Sequence, residues 1–150
     1  MVHFLVKILF LLQLFIMSHN IQGYWGCKNA YIEEHHVHVL NELPIHSPKL
    51  KLHCASGDDD LGDHWLDVGT DFDWEFCANP STLFFCHFWW GEKNQVFDVF
   101  NDLHYCVHDG KGYVPEFTTK CHWKVQADGF YLGYLNQDAG KILYTKYRDW

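Results

Sequence analysis

The sequence predicts an all-β fold, a single-domain antiparallel β-sandwich stabilised by disulfides. Three observations carry that expectation. Apolar residues recur at every second position in several short segments, the period of a half-buried strand. No segment sustains the apolar stripe of an amphipathic helix, and Val96–Leu103 is too short to count as one. Six cysteines stand in a chain of 150 residues, a usage typical of small extracellular domains that need covalent support. A chain of this length accommodates one domain and leaves no room for a second.

The first stretch is read as a leader rather than as part of the fold. Residues 1–23 carry Lys7, an apolar run from Ile8 to Met17 broken only by Gln13, and no acidic residue. That is the pattern of a secretory signal peptide, with Ile21-Gln22-Gly23 as a tolerable cleavage site. The expected mature domain is 24–150. A membrane anchor needs about 20 apolar residues. This run is shorter, and no later run is longer. The expectation is a secreted, extracellular protein without membrane insertion.

The strands follow in order. Val37 and Val39 alternate with His36 and His38; Leu50, Leu52 and Cys54 alternate with Lys49, Lys51 and His53. Phe72, Trp74 and Phe76 alternate with Asp71, Asp73 and Glu75, as on a sheet with one dry and one wet face. Leu83–Trp90 is apolar on both faces, as a central strand would be, and Cys121, Trp123 and Val125 alternate with His122, Lys124 and Gln126. Phe130–Leu135 and Ile142–Tyr147 complete the set. Proline, glycine and aspartate breakers separate these segments. The aromatic rings of Phe72, Trp74, Phe76 and Trp123 are the expected core.

Charge narrows the partners. The formal net charge is −8, and loss of Lys7 with the leader makes it one unit more negative. Between Lys51 and Lys93 no Lys or Arg occurs, while Asp58, Asp59, Asp60, Asp63, Asp67, Asp71, Asp73, Glu75 and Glu92 all fall there. Nucleic acid is bound by clustered Lys and Arg, so a nucleic-acid partner is not expected.

Six cysteines allow about 15 disulfide pairings. Strand parity turns Cys54 and Cys121 toward the core, which makes a bridge between them sensible, worth roughly 4 kcal/mol in the chain-entropy account. Cys86 lies on the inward face of Phe84 and Phe88. Cys77 shares the outward parity of Asp73 and Glu75, at a rim that Cys27 can reach. No C-x₂₋₄-C spacing suggests a thiolate metal site.

Candidate chemistry is sparse. Asp58-Asp59-Asp60-Leu61-Gly62 fails as an EF-hand, because the fifth ligand position falls on Gly62 and the twelfth on Gly69. It reads instead as a tight turn with aspartates capping backbone N–H groups. His36 and His38 share a strand face and would suit zinc or copper if a third ligand stood near, but the sequence places none. Neither a metal ion nor a cofactor is therefore expected. No serine occupies a G-x-S-x-G elbow, and the cysteines are assigned to disulfides, so no catalytic residue and no enzymatic activity are expected. Trp89-Trp90 and Tyr131/Tyr134 are candidates for a sugar-stacking platform.

The run Leu52-His53-Cys54-Ala55-Ser56-Gly57-Asp58-Asp59-Asp60-Leu61-Gly62 resembles the plant self-incompatibility protein S1 family, the S-protein homologues. In family order stand Val37–Asn41 with Leu43, then Phe72-x-Trp74-x-Phe76 with Asn79, then Thr82–Cys86 with Trp89. Cys121-x-Trp123-x-Val125 and Asp128-Gly129-Phe130-Tyr131 close the series, so that the resemblance spans roughly residues 36–147. It implies a small secreted antiparallel sandwich whose best-known relatives are ligands in pollen–stigma recognition, signalling through a pollen-surface partner. It implies no enzyme. Many members have a second cysteine just before that of the C-x-W motif. Here the nearest is Cys106, and the resemblance pairs it with Cys86. Cys27 and Cys77 look like additions to the usual four. The expected function is a non-enzymatic extracellular signalling ligand recognised by a cell-surface receptor or membrane protein. The alternative is a carbohydrate- or cell-wall-binding module.

Overall fold

The computed structural model describes Cys27 and residues 32–150; the leader read over residues 1–23 lies outside the described residues. Among the described residues there are nine strands: β1 (Glu33–Asn41), β2 (Leu50–Ala55), β3 (Asp60–Leu66), β4 (Asp71–Ala78), β5 (Phe84–Trp90), β6 (Lys93–Phe100), β7 (Lys120–Gln126), β8 (Gly129–Asn136) and β9 (Lys141–Arg148). No helix among the described residues is long and apolar enough to cross a membrane.

The strands form a five-stranded sheet, β4-β1-β7-β8-β9, and a four-stranded sheet, β3-β2-β5-β6. All pairs are antiparallel except β1 with β7, which run parallel from His36↔Lys120 to Asn41↔Val125. The chain builds β2, β3, β5 and β6 of the other sheet before β7 arrives beside β1. No hairpin dictates direction over so long a connection.

The two inner faces meet in an aromatic core. Trp123 of β7 meets Phe97 of β6 edge-on at 5.3 Å between ring centroids, and Phe88 of β5 meets Phe130 of β8 at 5.0 Å. Val37, Val39, Leu50, Leu52, Val125 and Leu132 fill the spaces between them, all fully buried. Trp123 is completely buried, while Phe72, Trp74 and Phe76 are only partly so. Their alternation is as the sequence reads, but β4 is an edge strand and its rings reach the rim of the core. Asn41 ties the sheets together: its Nδ2 donates to the Leu66 carbonyl of β3 at 3.0 Å and its Oδ1 accepts from the Leu43 amide at 3.0 Å. A buried amide is tolerated because both of its ends are bonded.

Two expected cysteine pairings are corrected. Cys54 is bonded to Cys86, not to Cys121, and Cys106 is bonded to Cys121, not to Cys86. Cys54 and Cys121 do both face inward, but they belong to opposite sheets. Cys54 lies directly opposite Cys86 in the β2–β5 register, with Cα atoms 4.1 Å apart. Parity reports the face a residue uses and not the sheet it belongs to. The third bridge joins Cys27 to Cys77, whose side of β4 is exposed.

β3 and β6 are strands that the alternation did not disclose. β3 carries Asp60, Asp63 and His64 on an edge, and β6 opens on Lys93-Asn94-Gln95 before its apolar end is reached. Both are paired for most of their length by a hairpin partner, so pairing rather than apolar pattern makes them strands.

Candidate functional site

The Asp58–Gly62 motif lies at the β2–β3 hairpin. The turn itself is Gly57-Asp58, closed by the Ser56 amide donating to the Asp59 carbonyl at 2.7 Å. Ser56 Oγ accepts from the Asp58 and Asp59 amides at 3.3 and 2.9 Å, so a serine does most of the capping expected of aspartates. Asp60 alone acts as expected, accepting from the Gly62 amide at 2.8 Å. Asp60, Leu61 and Gly62 already belong to β3, where Leu61 packs against the core. The Asp58 and Asp59 carboxylates point to solvent with no ion pair among the described residues.

Gly62 has φ of +76° and open space where a Cβ would lie. The left-handed conformation is therefore the only obstacle to a side chain, and it costs about 1–2 kcal/mol. Gly62→Ala is expected to lower stability by about 1 kcal/mol in denaturant unfolding. An unchanged midpoint would show that the hairpin does not need that conformation.

Beyond the turn, the open face of the four-stranded sheet carries two rows of side chains. In one, Lys51 stands between Trp65 and Trp89, with its Nζ 5.5 and 4.7 Å from their ring centres and 2.8 Å from Asp63 Oδ2. Trp65 is 62% exposed. Together with Pro48, Lys49 and Gly91 these residues line an open depression of about 370 Å³. In the next row His53 is gripped from both sides, Nδ1 by Asp63 at 2.8 Å and Nε2 by Asp60 at 3.1 Å. Hydrogen bonds from Lys51 and then His53 hold the Asp63 carboxyl below its ordinary range.

The aromatic pairs suggested by adjacency are split by the strands. Trp89 faces outward but Trp90 turns inward against Trp150, at 5.8 Å. Tyr131 is outward and donates to Asp128 at 2.8 Å, whereas Tyr134 packs against the core. The ring that accompanies Trp89 is Trp65, which sequence adjacency could not indicate.

The open face of the five-stranded sheet is different in character. β1 contributes His36 and His38, β4 contributes Asp71, Asp73 and Glu75, and β7 contributes Lys120 and His122. His36 Nε2 lies 2.7 Å from Asp73 Oδ2, and His38 Nδ1 lies 2.7 Å from Asp71 Oδ2. The three imidazoles form a row, His36 to His38 at 4.3 Å and His38 stacked on His122 at 4.5 Å and 13°. His122 is buried although its parity is outward. Burial, followed by the neighbouring His38, pushes its imidazole down to about 4 against the opposing pull of Asp71.

The segment between β6 and β7 is long but anchored. The Cys106–Cys121 bridge fixes it, Val107 and Val114 are buried, and Tyr147 donates to Asp109 at 2.6 Å. A Cβ at Gly110 would come within 2.0 Å of the Tyr105 carbonyl oxygen, so only glycine fits that fold of the backbone. At its outer end Phe117 is 64% exposed, edge-on to His104.

Comparison with known proteins gives this architecture its relatives. The family model of the plant self-incompatibility protein S1 matches residues 36–150, from the middle of β1 to the end of the chain. The chain belongs to that family. S-protein homolog 24 of Arabidopsis thaliana is 40% identical over 101 residues, covering 63% of this chain and 59% of the relative. S-protein homolog 8 of the same plant is 30% identical over 124 residues, covering 82% of this chain and 84% of the relative. S-protein homolog 4 is 35% identical over 100 residues, and the chain spans 61% of its length. In this S1-family chain the quoted motifs acquire physical roles. Cys121, Trp123 and Val125 form the inward side of β7, Asn41 links the sheets, and the aspartate run forms a hairpin tip.

Proposed function

We propose that this S1-family protein is a secreted, non-enzymatic signalling ligand, recognised at the surface of a target cell by a receptor or other membrane protein. Family membership carries the reading, and the shape of the molecule supports it. Anchored loops on a rigid sandwich are the usual seat of recognition. Here the β2–β3 hairpin presents Asp58 and Asp59, without an ion pair among the described residues, and the 107–119 segment presents Phe117. The partner surface would carry basic residues opposite the hairpin. Long-range attraction of that kind mainly raises the association rate and weakens with salt.

The test is saturable binding of labelled, oxidised protein to intact plant cells, with a reduced and alkylated sample as the control. Disulfide-dependent binding to the cell membrane supports the ligand reading. Replacing Asp58 and Asp59 together by lysine is expected to weaken that binding at least tenfold, roughly 1.4 kcal/mol, while leaving the melting temperature within about 2 °C. Unchanged binding by the folded variant removes the hairpin from the recognition surface.

One observation favours a second reading, a wall-polysaccharide-binding module. The exposed Trp65 and the outward Trp89 flank Lys51 on one open face, and aromatic faces of this kind stack on sugar rings. Binding to isolated walls that free saccharide competes away, and that Trp65→Ala abolishes, would establish this module in place of the ligand.

A further inference from the structure

We propose that His36, His38 and Asp73 form a binding site for a borderline divalent transition-metal ion of the Zn²⁺/Cu²⁺ class, on the open face of the five-stranded sheet. The sequence puts two imidazoles on one face of β1. The β1–β4 register supplies the third ligand that sequence alone could not place, because His38 stands opposite Asp73 and His36 opposite Glu75. Each of the three residues offers a ligand atom, and these atoms all lie within 4.8 Å of one another. Around a tetrahedral zinc ion, with bonds of about 2.0 Å, ligand atoms stand about 3.3 Å apart. The widest pair of ligand atoms therefore has to draw together by up to about 1.5 Å on binding. Two imidazoles and one carboxylate suit zinc or copper better than the hard cations, which prefer all-oxygen shells.

The surroundings are those of a supported site. A carboxylate only accepts hydrogen bonds, so Asp71 fixes His38 with its proton on Nδ1 and leaves Nε2 as the ligand nitrogen. A carboxylate on the far nitrogen is the usual orienting partner of a metal-bound histidine. His122 stacks on the His38 ring and holds its plane. At His36 the ion takes the place of the proton that Nε2 donates to Asp73, and the neutral ring keeps its single proton by carrying it on Nδ1. Asp71, Asp73 and Glu75 outnumber Lys120 and Lys124 on this face, so the local field attracts a cation. His36, His38 and Asp73 are all partly open to solvent, so an ion can reach them from outside the sheet.

The experiment is calorimetric titration of chelator-stripped, oxidised protein with Zn²⁺ and, separately, with Cu²⁺ at neutral pH. The expected result is one equivalent of at least one ion bound with a Kd of about 10 µM or tighter. His36→Gln, His38→Gln and Asp73→Asn should each weaken binding at least about tenfold, and Asp71→Asn about tenfold. His53→Gln, on the other sheet, should leave it unchanged. That control matters because the chain carries 12 histidines. Melting curves in chelator confirm that the variants fold. In parallel, the ring proton signals of His36 and His38 should move on adding Zn²⁺ to the unmodified protein. The site is overturned by absence of stoichiometric binding of either ion, by binding that survives His38→Gln, or by binding lost equally in His53→Gln. It lies on the sheet opposite the β2–β3 hairpin, so its failure would leave the ligand reading intact.

Discussion

Replacing Trp123 by alanine is expected to lower the unfolding free energy by about 4 kcal/mol and the melting temperature by roughly 15 °C. Three losses add up at this position. The indole is wholly buried between the sheets, against Phe97 at 5.3 Å and Tyr147 at 5.0 Å. Removing it leaves a cavity that rigid strands on both sides cannot close, and truncation of a buried aromatic typically costs about 3–5 kcal/mol. The Nε1–H also donates to the Val99 carbonyl at 3.0 Å, so the variant strands a buried acceptor. Trp123→Phe separates the terms, since it refills most of the volume without restoring the hydrogen bond; its expected cost is about 2 kcal/mol. Trp65→Ala is the matched control, because that ring is 62% exposed and should cost under about 1 kcal/mol. Chemical unfolding of the oxidised proteins measures all three. A Trp123→Ala cost below about 2 kcal/mol, or one equal to that of Trp65→Ala, would contradict the central place given to this ring.

Most of the strands visible in the sequence were those with one dry face, and Phe130–Leu135 and Ile142–Tyr147 were also visible and lie within β8 and β9. β1, β2, β4 and β7 each show a period of two in the sequence that their burial follows, except at His122 of β7, which is buried against its parity. β5 reads as central because both of its faces are apolar, and it does lie between β2 and β6. β3 stayed hidden because as an edge strand it buries little and keeps its charges. β6 stayed hidden because only its second half reaches the core. Which sheet a strand joins depends on contacts far apart along the chain, and alternation carries no information about them. The Cys54–Cys86 bridge illustrates the point: inward parity was readable for both residues, while their direct opposition across β2 and β5 was not.

The same boundary runs through the candidate sites. His-x-His on β1 and Asp-x-Asp on β4 are plain in the sequence as period-two patterns. What turns them into a cluster is the β1–β4 register, which sets Asp71 and Asp73 diagonally beside His38 and His36. On the opposite sheet, Trp65 becomes the companion of Trp89 only because β2 lies between β3 and β5 and sets Lys51 between the rings. The aspartate run was legible as a turn because a local hydrogen-bonding motif needs only its neighbours. Even so, the cap is mainly Ser56, whose place just ahead of the turn was the available signal.

His122 should make the fold acid-sensitive well above the carboxylate range. Its imidazole is buried on β7, stacked on His38 and near His36 and Lys120, with Asp71 the opposing charge. These surroundings favour the neutral ring and push its pKa down to about 4 from an ordinary 6.5. As pH falls through about 6.5 the unfolded chain takes up this proton while the native state does not. Stability from the neutral ring is therefore complete above about 6.5 and is lost progressively toward about 4. Over that window the loss is about 2–3 kcal/mol, given about 1.4 kcal/mol per pKa unit and some screening by water at the sheet surface. The buried His35, lowered chiefly by its own desolvation against the weaker pull of Glu33, adds a loss of the same sign. His122→Leu isolates the first contribution, because leucine keeps an apolar body beside His38 and cannot titrate. Denaturant unfolding between pH 7.5 and pH 4, with chelator present throughout, should show the unmodified protein falling by about 2–3 kcal/mol more than the variant. Parallel curves for the two proteins would mean that the unfolded and native states protonate His122 alike, and that its ring is hydrated rather than buried.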